Sequence, residues 1–233
     1  MTDSFGTVRI LGVLTAGLLI TAGPVWSGGT LRGAVRFAGA QAEPKKLNVT
    51  VDHSVCGTQK DAEELVVVAG RGLRNAVVSL STPSPATAVK PAAPPVQMEE
   101  KQCVFVPRVM IVPAGGTVEF LNSDQLRHNL HSVSKDNAVF NRTQPKGRTI
   151  PIVFKRPEIV RIDCDLHPWM RAWVVVADHP FYAVTGEQGD FLLENMPPGR
   201  YTLQVWHESL GTVQRDVVVD DSVATITVEM GGK

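Results

Sequence analysis

Almost no stretch of this chain carries a helical period. Apolar residues alternate with polar ones over short runs rich in Val, Ile, Thr and aromatics. Gly, Pro, Asn or Asp separates most runs from the next, the pattern of strands and turns. Such runs cover 30–39, 65–69, 75–81, 96–106, 108–113, 116–122 and 129–134. They continue over 149–155, 158–164, 171–178, 181–185, 190–194, 201–207, 211–219 and 223–230. Only "DAEEL" at 61–65 offers a helical turn. Many short strands at even spacing predict an all-β chain of sandwiches or barrels. The 233 residues suffice for one large or two small units.

Composition narrows the class. Hydrophobic residues make up 43% and charged residues 20% of a chain with zero formal net charge. With no basic excess there is no electrostatic reason to expect a nucleic-acid or anionic-membrane partner. At the N-terminus Arg9 precedes the apolar run from Ile10 to Gly23, and Val25 and Ser27 precede a candidate cleavage point. This reads as a signal peptide over residues 1–27. The run is shorter than the ~20 apolar residues that span a bilayer. The mature protein is therefore expected in the periplasm or secreted, with no stable membrane insertion after signal removal. Export permits disulfides. The three cysteines, Cys56, Cys103 and Cys164, leave one thiol over, and a leftover thiol needs a reason. If Cys164 binds metal, Cys56 and Cys103 are free to pair, a crosslink worth about 4 kcal/mol in the chain-entropy view.

"CDLHPWM" at 164–170 supplies that reason. It sets a thiol, an imidazole and a thioether at Cys164, His167 and Met170. Taken singly, a buried cysteine is usually structural, a methionine usually core, and a histidine usually a surface residue. Together they are a soft donor set that selects copper over hard cations, whereas tetrahedral zinc has no need of the methionine. Val160, Ile162 and Cys164 share one face of a strand, so the cysteine ends that strand on its buried side. A blue-copper arrangement needs one more histidine. His128, just after the turn "NSD" and 36 residues before Cys164, is the candidate.

The stretches "HNLHSV", "CDLHPWMRAWVVV" and "CVFVPRVMIVPAGGTVEFLNSD" resemble the cupredoxins, in particular the amicyanin/plastocyanin-like blue copper domains. The resemblance covers residues 96–178 and implies a Greek-key β-sandwich. It also implies one type 1 copper held by His128, Cys164, His167 and Met170. By the same resemblance the backbone N–H of Asn129 holds the thiolate sulfur, and His167 reaches the surface as the electron port. Pro168 and Trp169 flank that port as an apolar docking patch. Leu166 stands where the short-loop members carry proline. His131 lies on the opposite strand face from His128 and is read as structural. His53 is read as exposed, and His179 and His207 as hydrogen-bonding or interdomain residues.

Beyond Asp178 the chain changes character. "VTGEQGDFLLENMPPGRYTLQVWH" resembles the carboxypeptidase-regulatory-like, or transthyretin-like, β-sandwiches. Their two preceding strands are similar to "GAVRFAG" and "NAVVSL", which lie before the Pro/Ala-rich connector at 82–95. The organisation is then a signal peptide (1–27), N-terminal strands (28–81), the connector, a cupredoxin unit (96–178) and a C-terminal sandwich (179–233). The second, smaller sandwich is either split around the cupredoxin unit or follows it in series; the strand likeness favours the split.

The function implied is one-electron carriage between redox partners, without catalysis. Copper storage or delivery is the first alternative, and a non-catalytic adhesion or carbohydrate-binding sandwich the second. Multicopper oxidation is disfavoured because no His-x-His pair is present. A dinuclear copper loop is disfavoured because position 160 is Val160.

Overall fold

The computed structural model describes residues 1–2, 28–40, 45–81 and 94–231. Apart from Met1 and Thr2, the expected signal peptide lies outside the described residues, as does the connector up to residue 93. No helix among the described residues is long and apolar enough to cross a membrane.

The N-terminal part contains β1 (Gly29–Phe37), β2 (Lys46–Asn48), the one-turn α1 (His53–Cys56), β3 (Gln59–Asp61) and β4 (Val77–Leu80). The middle part runs through β5 (Val96–Lys101), β6 (Val104–Val106), β7 (Val109–Pro113), β8 (Gly116–Asn122) and β9 (His128–Val133). It continues with β10 (Asn141–Gln144), β11 (Thr149–Phe154), β12 (Glu158–Asp163) and β13 (Arg171–Ala177). The last part holds β14 (Tyr182–Val184), β15 (Asp190–Met196), β16 (Gly199–His207), β17 (Gly211–Val219) and β18 (Val223–Met230). The fold class is all-β. The helical turn expected at 61–65 is absent there; α1 forms instead one segment earlier. The run 65–69 makes only an isolated bridge, Val67 to Leu73, and packs Leu65 and Val67 on a core from a loop.

The larger sheets stack as layers. The sheet β15-β1-β18 faces β14-β4-β16-β17 across one core, built on Leu31, Val35, Phe191, Leu203 and Met230. The sheet β10-β9-β12-β13-β7 faces β11-β8-β5-β6 across another, built on Met98, Phe105, Phe120, Phe154 and Ile162. Strand alternation supplies a third interface, because successive side chains leave opposite faces of a strand. Val174 and Val176 of β13 point into their own sandwich, while Trp173 and Val175 point outward. There they meet Val77, Tyr182, Val184 and Trp206 of the neighbouring sheet. Strands from before the connector complete sheets with strands from after Asp178: β1 pairs with β15 and β18, and β4 with β14 and β16. The ion pair of Arg108 with Glu208, 2.6 and 2.9 Å and nearly buried, ties the middle part to the last.

Two turns position the site. The β5–β6 hairpin closes through Gln102 and Cys103, both at positive φ (52° and 57°), the geometry of a tight primed turn. Such backbone costs a non-glycine residue about 1 kcal/mol. The Asp124 carboxylate offsets that cost by accepting both turn N–H groups at 2.6 and 2.7 Å. Asp52, at φ 54°, begins the α1 turn. The Cys56–Cys103 disulfide joins the α1 turn to the β5–β6 turn.

Candidate metal centre

Cys164 follows the last residue of β12, and its chain folds back at once. Its N–H donates to Met170 O at 3.3 Å, and Met170 N–H donates to His167 O at 2.8 Å. The short loop therefore turns back on itself and brings Cys164 and His167 together at one end of the middle sandwich. His128 begins β9, which pairs with β12, so the adjacent strands deliver it beside the loop.

Three donor atoms converge. His128 Nδ1 lies 3.1 Å from His167 Nδ1, and Cys164 Sγ lies 3.6 Å from His167 Nδ1 and 4.0 Å from His128 Nδ1. The point equidistant from the corners of that triangle (product of the sides over four times the area) is about 2.1 Å from each. First-row metal–imidazole and metal–thiolate bonds measure about 2.0–2.3 Å. His128 and His167 are 0% exposed and Cys164 is 2% exposed. Met170, 1% exposed, belongs to the same core as Cys164.

The tautomers sharpen the point. Nε2 of His128 donates to Asp124 Oδ2 at 2.8 Å, and Nε2 of His167 donates to Asp52 Oδ2 at 3.0 Å. With each proton held on Nε2 by a carboxylate, the tautomer this assigns, both Nδ1 atoms are bare lone pairs. Two lone pairs 3.1 Å apart repel unless a cation lies between them. Burial, the largest effect on His167, holds its pKa below the ordinary range even against Asp52, which keeps the ring neutral at pH 7. Burial pushes the Asp124 pKa up. Its bonds from His128, Cys103 and Gln102 outweigh burial and bring it below the usual carboxylate range.

Burial likewise raises the Cys164 thiol, opposed by backbone N–H groups of Asn129, Leu166 and His167 that point at the sulfur. The Asn129 N–H is joined there by two amides of the loop itself. Its side chain accepts from Asp165 N–H at 3.2 Å and donates to Asn141 at 2.6 Å, which locks β9 to the loop and to β10. A raised thiol pKa with the sulfur already hydrogen-bonded describes a cysteine that loses its proton when a cation arrives. The donor set therefore fits a copper ion.

One expectation is corrected. His167 does not reach the surface: the Asp52–Cys56 turn, held by the disulfide, lies over it. Of the flanking patch, Pro168 is exposed and Trp169 is half-buried; Leu166, outside that patch, is exposed as well. The Trp169 indole N–H donates to Cys103 O at 3.0 Å, and its ring lies 5.3 Å from that of His167. Of the other histidines, His131 bonds Asp165 at the surface and exposed His53 bonds Val49 O. His179 bonds Leu80 O, and buried His207 accepts from Ser209 N–H; none of these four belongs to the centre.

The sequence reading missed Asp124, Asp52 and Glu100. Asp124 stands four residues before His128, a spacing that could have suggested it. Asp52 is 115 residues from His167 and left no such signal. Glu100 is wholly buried, and neither of its carboxyl oxygens has a hydrogen-bond partner. Burial, with the Asp124 charge, pushes its pKa up to about 9.

No family model and no curated protein matches the chain. Solved structures do match in part. A Cu-containing nitrite reductase (NirK) from Thermus scotoductus SA-01 is 25% identical over 42% of this chain, at a TM-score of 0.35, and the match spans 27% of the reductase. A purple cupredoxin from Nitrosopumilus maritimus is 24% identical over 35% of this chain and 99% of its own, at a TM-score of 0.32. A Cu(I) amicyanin mutant is 22% identical over 43% of this chain and 98% of its own, at a TM-score of 0.34.

Proposed function

We propose that this chain is an exported one-electron carrier with a single type 1 copper held by His128, Cys164, His167 and Met170. The observation that carries the reading is the buried triangle of Cys164 Sγ, His128 Nδ1 and His167 Nδ1, whose centre has the radius of a metal–ligand bond. Copper in such a His2Cys set with a weak axial methionine supplies a one-electron couple that needs little rearrangement. The chain's own residues do the rest. Asp124 and Asp52 fix the tautomer and orientation of the two imidazoles. The amides of Asn129, Leu166 and His167 stabilise sulfur charge, and the apolar core excludes water. With four protein donors this reading leaves no place for a substrate and assigns no catalysis.

The remaining parts of the reading concern the partner. Residues 96–178 form the copper unit in this proposal, and the strands around it a transthyretin-like sandwich that helps dock a redox protein. The covering of His167 favours a second reading, copper storage or delivery, because a closed imidazole slows electron exchange. The two differ in electron self-exchange, which is fast for a carrier.

The test is to load the mature chain, residues 28–233, with Cu(II) and record visible absorption and paramagnetic resonance. An intense blue thiolate band with narrow hyperfine splitting, lost in Cys164→Ser, is the expected result. A pale wild-type protein, or a Cys164→Ser variant that stays blue, sinks the assignment.

A further inference from the structure

The disulfide lies against the proposed centre. Cys56 Sγ, Cys103 Sγ and a ring nitrogen of His167 are all within 4.8 Å of one another, and all three residues are buried. The same imidazole faces Cys164 through Nδ1. The pair is also linked to both histidines. Cys103 N–H donates to Asp124, which holds His128; Cys56 ends the turn that begins at Asp52, which holds His167.

We infer that in the dithiol state Cys56 and Cys103 form a second, Cu(I)-selective site that shares His167 with the first and loads it. Two thiolates and an imidazole are a soft set suited to Cu(I). The inference rests on reading the His128/Cys164/His167 triangle as a copper centre. The dithiol state is that of the chain before oxidation, or after a dithiol reductant has acted. In the second case the S–S bond takes two electrons and two protons, and the reductant leaves as its own disulfide. Cu(I) then displaces two thiol protons and gains two Cu–S bonds. Transfer breaks both of these Cu–S bonds and forms bonds to Cys164 and His128; one departing thiolate takes the Cys164 proton, the other takes a proton back from solvent, and His167 remains in place. Without the disulfide, α1 loses its covalent tie to the β5–β6 turn, and the Asp52 hydrogen bond remains to hold it over His167.

The test removes the first site and asks for the second. Full-length Cys164→Ser, prepared anaerobically as dithiol and as disulfide with the fold checked by circular dichroism, is titrated with Cu(I). The ion is added as its acetonitrile complex, against bicinchoninate as competitor. One Cu(I) per chain, bound at least 100-fold more tightly by the dithiol form than by the disulfide form or by the Cys56→Ser/Cys103→Ser/Cys164→Ser variant, is expected. Equal affinity in all three overturns the inference. Should the dithiol form of Cys164→Ser unfold, the loading rate settles it. Reduced wild type should take up Cu(I) at least 10-fold faster than Cys56→Ser/Cys103→Ser, and equal rates refute the second site. A wild-type disulfide form that binds Cu(II) without turning blue would overturn the type 1 reading and leave this titration unaffected.

Discussion

Oδ2 of Asp52 sits 3.0 Å from Nε2 of His167, so the N-terminal part of the chain supplies the cover and the carboxylate partner of a histidine in the middle part. A carboxylate on the far nitrogen of a ligating imidazole makes that imidazole a better donor to a cation, and such partners are typically worth about 10–100-fold in metal affinity. Replacing Asp52 with Asn keeps the shape and removes the charge. Cu(II) affinity is expected to fall by about 10–100-fold. The reduction potential should rise, because the lost anion stabilised Cu(II) more than Cu(I). Competition titration and spectroelectrochemistry read both quantities, and unchanged values in the variant would exclude this role for Asp52.

Asp124 carries two loads, His128 and the Gln102–Cys103 turn. Asp124→Asn should therefore lower folding stability as well as copper binding. Leaving the turn N–H groups without a charged acceptor costs about 1–3 kcal/mol. Urea denaturation of the copper-free protein isolates that part. A variant as stable as wild type, with copper binding alone impaired, would show that the turn does not depend on Asp124.

Glu100 makes stability fall with rising pH. Its folded pKa of about 9 lies above the ordinary carboxyl value of 4.5. Between those values the unfolded chain has released the proton that the folded chain still binds, so each pH unit favours unfolding by about 1 kcal/mol. Glu100→Gln, neutral in both states, should flatten the slope between pH 5 and 9 and stabilise the protein at pH 8. Denaturation midpoints at pH 5, 7 and 9 decide the matter, and parallel slopes in the two proteins would refute it.

The Arg108–Glu208 pair is nearly buried, with side-chain exposures of 7% and 6%. Removing one partner strands the other charge and costs about 3–5 kcal/mol. Arg108→Met should show that loss, and Arg108→Met/Glu208→Gln should recover most of it. Because the pair joins the middle part to the last, wild type should unfold in one transition. Two separate transitions, with the blue band following only one of them, would mean that the interface does not couple the parts.

Strand alternation made most of the β-structure legible in the sequence, because whether a residue faces in or out is decided within a few neighbours. Short or irregular pieces escaped: β10 (Asn141–Gln144) has no apolar alternation, and α1 is too short to show a period. The helical pattern at 61–65 and the strand pattern at 65–69 lost to tertiary packing, which seats Leu65 and Val67 from a loop.

What the sequence by itself determined is whatever rests on local spacing. The Cys-x2-His-x2-Met loop is compact enough to keep Cys164 and His167 at one end of the sandwich, and with Cys164 assigned to that loop, Cys56 and Cys103 remain to pair with each other. The tertiary structure alone decided that His167 is closed off, that Asp52 and Asp124 set both imidazoles, and that the disulfide rests on the centre. Those contacts join segments up to 115 residues apart. Their geometry depends on how the sheets stack and where the turns between them come to lie, and no short window of sequence carries that information.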